Sequence, residues 1–103
     1  MPRLRLPNRR PHETGNLIFR GTAYMVGIGR FSDGKIAEVF IECAKGSSDL
    51  AADARDAAVC LSLALQYGTP AEAIRAAVTR DAFGQPSGIV GAVLDLLAEE
   101  DGQ

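Results

Sequence analysis

One turn signal, Asp33-Gly34, limits what this chain can fold into more than any other feature. Apolar residues alternate with polar or small ones on both sides of it, in Thr22–Arg30 and Ile36–Cys43. A period of two is typical of a strand with one buried face, and Gly adopts the positive φ of a tight turn without steric cost. The pattern therefore predicts an antiparallel hairpin, preceded by a short strand near Leu17–Arg20.

Two glycines interrupt the first strand of this predicted hairpin. Gly27 and Gly29 occupy the face opposite to the one that carries Tyr24, Val26 and Ile28. A strand that lacks side chains on one face lets a neighbour approach its backbone closely. We therefore expect a bulky group to cover this place, either a helix, another subunit or a ligand.

The period changes to that of a helix after the second strand. Ser47 or Ser48 is a good N-cap, and apolar residues then recur at helical spacing until Gly68, which is expected to end the helix at its C′ position. Within Ala57–Leu65 only Ser62 is polar. We therefore expect this half of the helix to be buried on nearly all sides.

Two shorter helices are predicted after the first. Thr69 to Glu72 has the pattern of a capping box with a proline at the first helical position, and Gly84 to Pro86 separates this helix from the next. The last helix carries an apolar stripe of Val90, Val93, Leu94 and Leu97. This order of elements predicts an α+β fold, a small antiparallel β-meander of about three strands followed by three helices packed on one face.

Charge is distributed unevenly along the chain. Residues 1–20 hold five arginines against one glutamate, and the remaining residues hold six basic against twelve acidic side chains. Prolines deny a regular element its backbone donors, and three of them lie in residues 1–16. The sequence predicts a basic Pro/Arg-rich arm at 1–16, a single domain at 17–98 and an acidic tail at 99–103. The arm either folds back onto the acidic body or reaches a partner protein or nucleic acid.

The sequence gives no sign of export or of a membrane segment. The first residues have no apolar run, and no stretch approaches about 18 uncharged apolar residues. We therefore expect no membrane partner and a cytoplasmic location, in which Cys43 and Cys60 stay reduced.

Residues for catalysis or metal binding are scarce. His12 is the only histidine, and with Cys43 and Cys60 it forms no standard zinc spacing. We expect His12 to be solvated and both cysteines to pack in the core, because free Cys is among the most buried residue types. A nucleophilic cysteine would need a base, which only His12 could provide. The sequence therefore predicts a protein that is not an enzyme and binds no metal or cofactor.

The candidates for binding a partner or an anion are basic residues and the start of the first helix. Backbone N–H groups at a helix start can hold an anion together with a lysine, although a simple capped turn has the same sequence pattern. The candidate site consists of Arg5, Arg9, Arg10, Arg30, Lys45, Ser47 and Ser48.

Several segments, taken in chain order, resemble one known family. They are Arg5–Arg10, Tyr24, Gly29–Gly34, Ala37–Ile41, Lys45–Ser47 and Ser62–Pro70. The series resembles the TSCPD domain, which is found near the C-terminus of adenosylcobalamin-dependent (class II) ribonucleotide reductases and as free-standing small proteins. The resemblance covers roughly residues 5–97 and is most specific in the hairpin and in Ser62–Pro70.

The chain also departs from that family. The family is named for a Thr-Ser-Cys-Pro-Asp string before its last helix, where this chain reads Gly84-Gln85-Pro86-Ser87-Gly88-Ile89. The namesake cysteine is absent, with Pro86 or Ser87 near its place, so no thiol or metal role carries over. The reductase's catalytic barrel, with its radical and redox cysteines, is absent too. The resemblance implies a setting in nucleotide metabolism and no defined reaction.

Three functions follow from these observations. The first is a non-enzymatic accessory or binding module that contacts a ribonucleotide reductase or another protein through its basic arm and sheet. The second is a nucleic-acid or nucleotide binder that uses the arm and the helix start at Lys45–Ser48. The third, less favoured, is an enzyme acting through Cys43 or His12. Under each we expect a homodimer, because a small sheet has open edges and Ala57–Leu65 needs cover.

Overall fold

The computed structural model describes residues 2–4, 12–43 and 48–100. Three antiparallel strands form one sheet in the order β1-β2-β3, with bounds β1 His12–Phe19, β2 Thr22–Arg30 and β3 Ile36–Cys43. Three helices follow, α1 Ser48–Gln66, α2 Ala71–Ala77 and α3 Ile89–Glu100. The predicted α+β fold and the hairpin around Asp33-Gly34 are confirmed.

The first strand is longer than the sequence predicted. β1 pairs with β2 from His12↔Gly29 to Phe19↔Thr22, whereas the expected strand covered only Leu17–Arg20. Arg20 and Gly21 form the turn, and both have a positive φ (51° and 77°), as the two-residue turns that suit β-hairpins require. The early part of β1 was missed because its inward residues are a glutamate and a glycine, which leave no hydrophobic alternation to read.

All three helices lie on one face of the sheet, which we call the inner face. Its side chains form a single apolar core with α1 and α3, made of Tyr24, Val26, Ile28, Val39, Ile41, Ala54, Ala58, Leu61, Leu65, Val93, Leu94 and Leu97. Burying one large aliphatic side chain of this kind contributes roughly 1.5–3 kcal/mol. The core therefore accounts for most of the stability of a domain this small.

α1 runs antiparallel to β3 and hydrogen-bonds backbone groups on the edge of this strand that faces away from β2. The Ser62 hydroxyl accepts a hydrogen bond from the Val39 N–H (2.9 Å) and donates one to the Val39 carbonyl (3.0 Å). One turn later, the buried Gln66 amide donates to the Ala37 carbonyl (3.1 Å). The edge of β3 that faces away from β2 is thus occupied at these positions by side chains of the same chain.

The C-terminal end of α1 was predicted correctly, but its burial was not. Gly68 has a φ of 103°, and the Gly68 and Thr69 amides donate to the Leu65 and Ala64 carbonyls, which forms a Schellman cap. In contrast, Val59 is 56% exposed, and Cys60 is exposed as well. Only one side of α1 contacts the sheet, so the opposite side of this apolar stretch faces solvent. The expectation that Cys60 packs in the core was wrong.

The second helix starts one residue later than its sequence pattern suggested. Pro70 is the N-cap of α2 and no side chain caps the helix, so the predicted reciprocal capping box is not formed. α2 buries no residue fully and contacts α3. Within the described part of the chain, no helix is both long and apolar enough to cross a membrane.

Replacing Ser62 with alanine is expected to lower the free energy of unfolding by about 2 kcal/mol. The variant leaves both the N–H and the carbonyl of Val39 without their partner, at a residue that is almost completely buried. Urea denaturation measures the change. Val59→Ala on the exposed side of the same helix is the control and should change stability by less than about 0.5 kcal/mol. Equal effects of the two variants would contradict this role of Ser62.

Candidate functional site

A cleft of about 800 Å³ opens at the end of the domain where β2 turns into β3. The turn forms one wall, and the end of α1 together with the start of α2 and the last turns of α3 forms the other. Leu65, Leu94 and Leu97 give the cleft an apolar lining, while its turn side carries the basic Arg30 and Lys35 together with the acidic Asp33. A molecule with an apolar part and a polar part fits this combination of walls.

Arg30 is fixed in position by two groups. Its guanidinium donates to the Glu13 carboxylate (2.7 Å) across the β1–β2 pair and to the Gly34 carbonyl (2.9 Å) in the turn. In the turn itself, the Asp33 carboxylate accepts from the Lys35 N–H (2.9 Å). These contacts hold the basic side of the cleft in one conformation.

Residues before β1 also reach this end of the domain. The Leu4 N–H donates to the Gln66 carbonyl (2.8 Å), and the Arg3 side chain hydrogen-bonds the Gln66 amide oxygen. Leu4 thereby lines the cleft beside Leu65. The start of the chain is therefore attached to the end of α1.

A charge cluster links α2, the following loop and α3 on the far side of the cleft. Arg75, which lines the cleft, donates to the Asp95 carboxylate (2.7 Å), and Arg80 donates to both oxygens of the same group (2.8 and 2.9 Å). The hydrogen bonds from Arg80, and then those from Arg75, hold the pKa of Asp95 well below its usual range. No local sequence pattern indicates this cluster, because its members are separated by up to 20 residues.

The structure does not bring the described candidate residues together. Arg30 lies at the cleft, whereas Ser48 begins α1 at the opposite end of the sheet. Ser48 and Gln66 are the two end residues of the 19-residue helix α1, so they lie about 27 Å apart along the helix axis. The other five candidates, Arg5, Arg9, Arg10, Lys45 and Ser47, lie outside the described residues. Their role in an anion site at the helix start stays a prediction.

The two glycines of β2 were expected to be covered by a helix, another subunit or a ligand, but the described side chains nearest to them belong to neighbouring strands of the same sheet. A Cβ at Gly27 would lie 3.0 Å from the His12 ring, and one at Gly29 would lie 2.9 Å from the Glu38 side chain. Glu38 is only 5% exposed there, although it is on the face opposite to the helices. His12 also contacts the ring of Phe40, with centroids 5.7 Å apart.

The face of the sheet that carries no helix is partly apolar, and we call it the outer face. Ile18 is 76% exposed, Met25 49% and Phe40 46%. Register places one of them on each strand, since Met25 pairs with Glu42 and Gly27 with Phe40. Alternation in the sequence distinguishes the two faces of β2 and β3, but it did not indicate that this face would stay open to this extent.

The chemistry-bearing side chains do not converge. His12 pairs with Gly29 at one end of the sheet, and Cys43 pairs with Tyr24 at the other end and on the inner face. Five strand residues between these points correspond to about 17 Å. Among residues 2–4, 12–43 and 48–100, no three His, Cys, Asp or Glu side chains form a group that could hold a metal ion.

Over most of its length, the chain is similar to a segment of vitamin B12-dependent ribonucleotide reductases. The enzyme of that name from Agrobacterium fabrum is 38% identical over 88 residues, which cover 85% of this chain but 7% of the relative. The one from Bradyrhizobium diazoefficiens is 32% identical over 88 residues with the same coverage. The chain therefore spans about 7% of the length of these curated relatives. No family model and no solved structure matches it.

Asp95→Asn is expected to lower the free energy of unfolding by about 1 kcal/mol at pH 7, since charged hydrogen bonds at a partly exposed site are lost. The depressed pKa of Asp95 stabilises the folded state above the unfolded pKa, near 3.9, and this contribution is lost as the pH falls further. Urea denaturation should thus show the gap between the two proteins narrowing from pH 5 downwards. A gap that is constant with pH would contradict the cluster's electrostatic role.

Proposed function

We propose that this chain is a non-enzymatic binding module of the TSCPD type that contacts a ribonucleotide reductase polypeptide through its outer sheet face and basic arm. The observation that carries the proposal is the exposure of Ile18, Met25 and Phe40 on a face that no described helix covers. The similarity to reductase segments supports the choice of partner. The cytoplasmic location expected from the sequence belongs to the same proposal.

The outer face has the composition of a protein-binding surface. Large apolar side chains exposed on one face favour contact with another protein, and Met and Phe are enriched at such contacts. His12 and Glu38 fill the space over the glycines of β2, and Glu42 and Arg55 form an ion pair at the β3 side of this face (3.3 Å). An apolar centre with charged groups at its border is the usual arrangement of a protein interface.

The distribution of reactive groups supports a role in binding. His12 and Cys43 lie at opposite ends of the sheet, about 17 Å apart along the strands. A base and a nucleophile must lie within hydrogen-bond distance of each other, so these two residues do not act as such a pair. Cys60 lies on the exposed side of α1, away from both. We therefore expect purified protein to reduce no ribonucleotide when adenosylcobalamin and a dithiol are added.

Capture of partners from an extract of the host organism tests the proposed contact. The wild-type chain is expected to enrich a ribonucleotide reductase polypeptide, identified by mass spectrometry. Phe40→Glu should reduce that enrichment at least about tenfold, because a charge buried in an interface without a partner costs several kcal/mol. Phe40 is exposed in the free chain, so the variant is expected to fold.

Val59→Glu is the matched control for the capture experiment. It also places a charge on an exposed apolar residue, but on α1 rather than on the outer face. Enrichment should survive this change. Absence of any reductase polypeptide from the wild-type capture, or equal loss in both variants, would refute the proposed docking face.

We keep nucleotide or nucleic-acid binding as a second candidate function, on the strength of the cleft. Arg30 and Lys35 could contact phosphate, while the leucines of the opposite wall offer an apolar surface to a base. The helix start at Lys45–Ser48 and the arm, proposed from the sequence for the same purpose, would be separate phosphate contacts.

Nucleotide binding is measured by calorimetry with ribonucleoside and deoxyribonucleoside triphosphates at about 50 mM and about 200 mM salt. Binding in the cleft should weaken as salt rises and should be lost in a Lys35→Ala variant. Arg55→Ala removes an exposed cation outside the cleft and should leave the affinity unchanged. Undetectable binding at low salt would exclude this candidate.

A further inference from the structure

The two edges of the sheet differ in how their backbone groups are satisfied. On β3, the Val39 N–H and carbonyl point away from β2 and bind Ser62. The Gln66 side-chain amide donates a hydrogen bond to the Ala37 carbonyl on the same edge. No described element lies along the other edge, which β1 forms. An exposed edge of this kind pairs readily with another strand.

The Ser62 contact also determines which groups of β1 face outward. Hydrogen-bonded and non-hydrogen-bonded pairs alternate along antiparallel strands. Val39 lies opposite Ile28, but its N–H and carbonyl bind Ser62, so Val39 and Ile28 form a non-hydrogen-bonded pair. The N–H and carbonyl of Ile28 are therefore directed to Glu13 on the other side, and the odd-numbered residues of β1 are the ones that hydrogen-bond β2. The N–H and carbonyl groups of Thr14, Asn16 and Ile18 are directed to the free edge.

β1 lacks the features by which natural sheets protect their edges. It contains no lysine and no proline, and its pairing with β2 has no bulge, whereas the β2–β3 pairing is irregular at Gly29 and Arg30. Its only acidic residue, Glu13, is held by Arg30. The stretch from Thr14 to Phe19 is uncharged and includes an exposed isoleucine, Ile18. An unprotected straight edge of this type favours pairing with a further strand.

A second β1 fits this edge in one symmetric register. With Asn16 opposite the same residue of the other copy, Thr14 faces Ile18 on the outer face, and Gly15 faces Leu17 on the inner face. Gly15 has no side chain of its own, and the nearest group to a Cβ there is the Glu100 carboxylate at the end of α3, 3.7 Å away, so the leucine packs beside that end of the helix. Glu13 comes opposite Phe19, whose ring carries the Arg20 guanidinium 5.4 Å from its centroid, so opposite charges approach each other. Within β1 itself, no two residues of like charge face each other in this register.

We propose that β1 pairs antiparallel with β1 of a second copy of this chain, centred on Asn16, to form a six-stranded sheet. This gives the expected homodimer a defined interface and does not depend on the reductase contact, which uses the outer face. Because α1 binds the β3 edge at Val39 and Ala37, the described residues of each copy leave the β1 edge free. Assembly therefore closes at two chains with an isologous interface and does not continue into a filament.

Disulfide cross-linking tests the register of the two β1 strands directly. The experiment uses a Cys43→Ala, Cys60→Ser background, which removes the two native thiols. Opposed hydrogen-bonded residues have Cα atoms about 5.5 Å apart, within disulfide range, so Asn16→Cys should cross-link to itself. Thr14→Cys and Ile18→Cys are matched controls on the same face. Each alone would place its thiols about 13 Å apart and should cross-link at least about tenfold more slowly, whereas a mixture of the two should cross-link to each other.

Removal of an outward N–H tests the pairing without altering the β1–β2 ladder. Asn16→Pro should raise the dimer dissociation constant at least about tenfold in sedimentation equilibrium, while Asn16→Ala, which keeps the N–H, should change it less. Circular dichroism of both variants verifies the fold. A wild-type monomer at high micromolar concentration, or self-cross-linking of Thr14→Cys at the rate of Asn16→Cys, would overturn the proposal. Capture of the reductase by the same wild-type protein would remain a separate result.

Discussion

The packing of α1 against β3 is the interaction on which the rest of the structure depends. Three short strands have one apolar face, and α1 is the only described helix long enough to run along a whole strand of it. Its contacts through Ser62 and Gln66 also close one sheet edge. The same placement leaves the outer face and the β1 edge without cover and positions the cleft at the end of α1. The outer face and the β1 edge are thus surfaces that α1 leaves open, whereas the cleft is bounded by the end of α1.

Local patterns predicted the hairpin and the limits of α1 well. Asp33-Gly34 and Gly68 act through their own backbone conformation, so a few neighbouring residues contain the whole signal. β1 was predicted only in its second half, because its pairing with β2, and not its own composition, makes the segment from His12 a strand. The exposure of Cys60 was missed for a related reason. The apolar residues of a helix can extend around more of its circumference than the neighbouring sheet buries, and the helix sequence does not show how much the sheet buries.

The candidate site could be predicted less well than the fold. Arg30 was found because its neighbours resemble a family motif, but its ion pair with Glu13 depends on a strand register that only the structure supplies. Arg75 and Arg80 meet Asp95 through the packing of α2 on α3, for which no short-range pattern exists. The similarity to reductases relates this chain to a segment that makes up about 7% of such an enzyme, and it does not indicate which surface binds a partner. Geometry was therefore needed to identify which faces can bind.

The meander has a consequence for how the chain acquires its structure. β2, β3 and α1 each contact the element that precedes them, so the first four elements are joined through contacts between neighbours in sequence. The approach of α3 to β1 joins segments that are far apart in the chain, and such contacts cost more loop-closure entropy than contacts between neighbouring elements. The free edge belongs to the strand whose inner face this long-range contact covers. The dimer interface therefore depends on contributions from both ends of the domain, and a variant that loosens α3 should also weaken self-association.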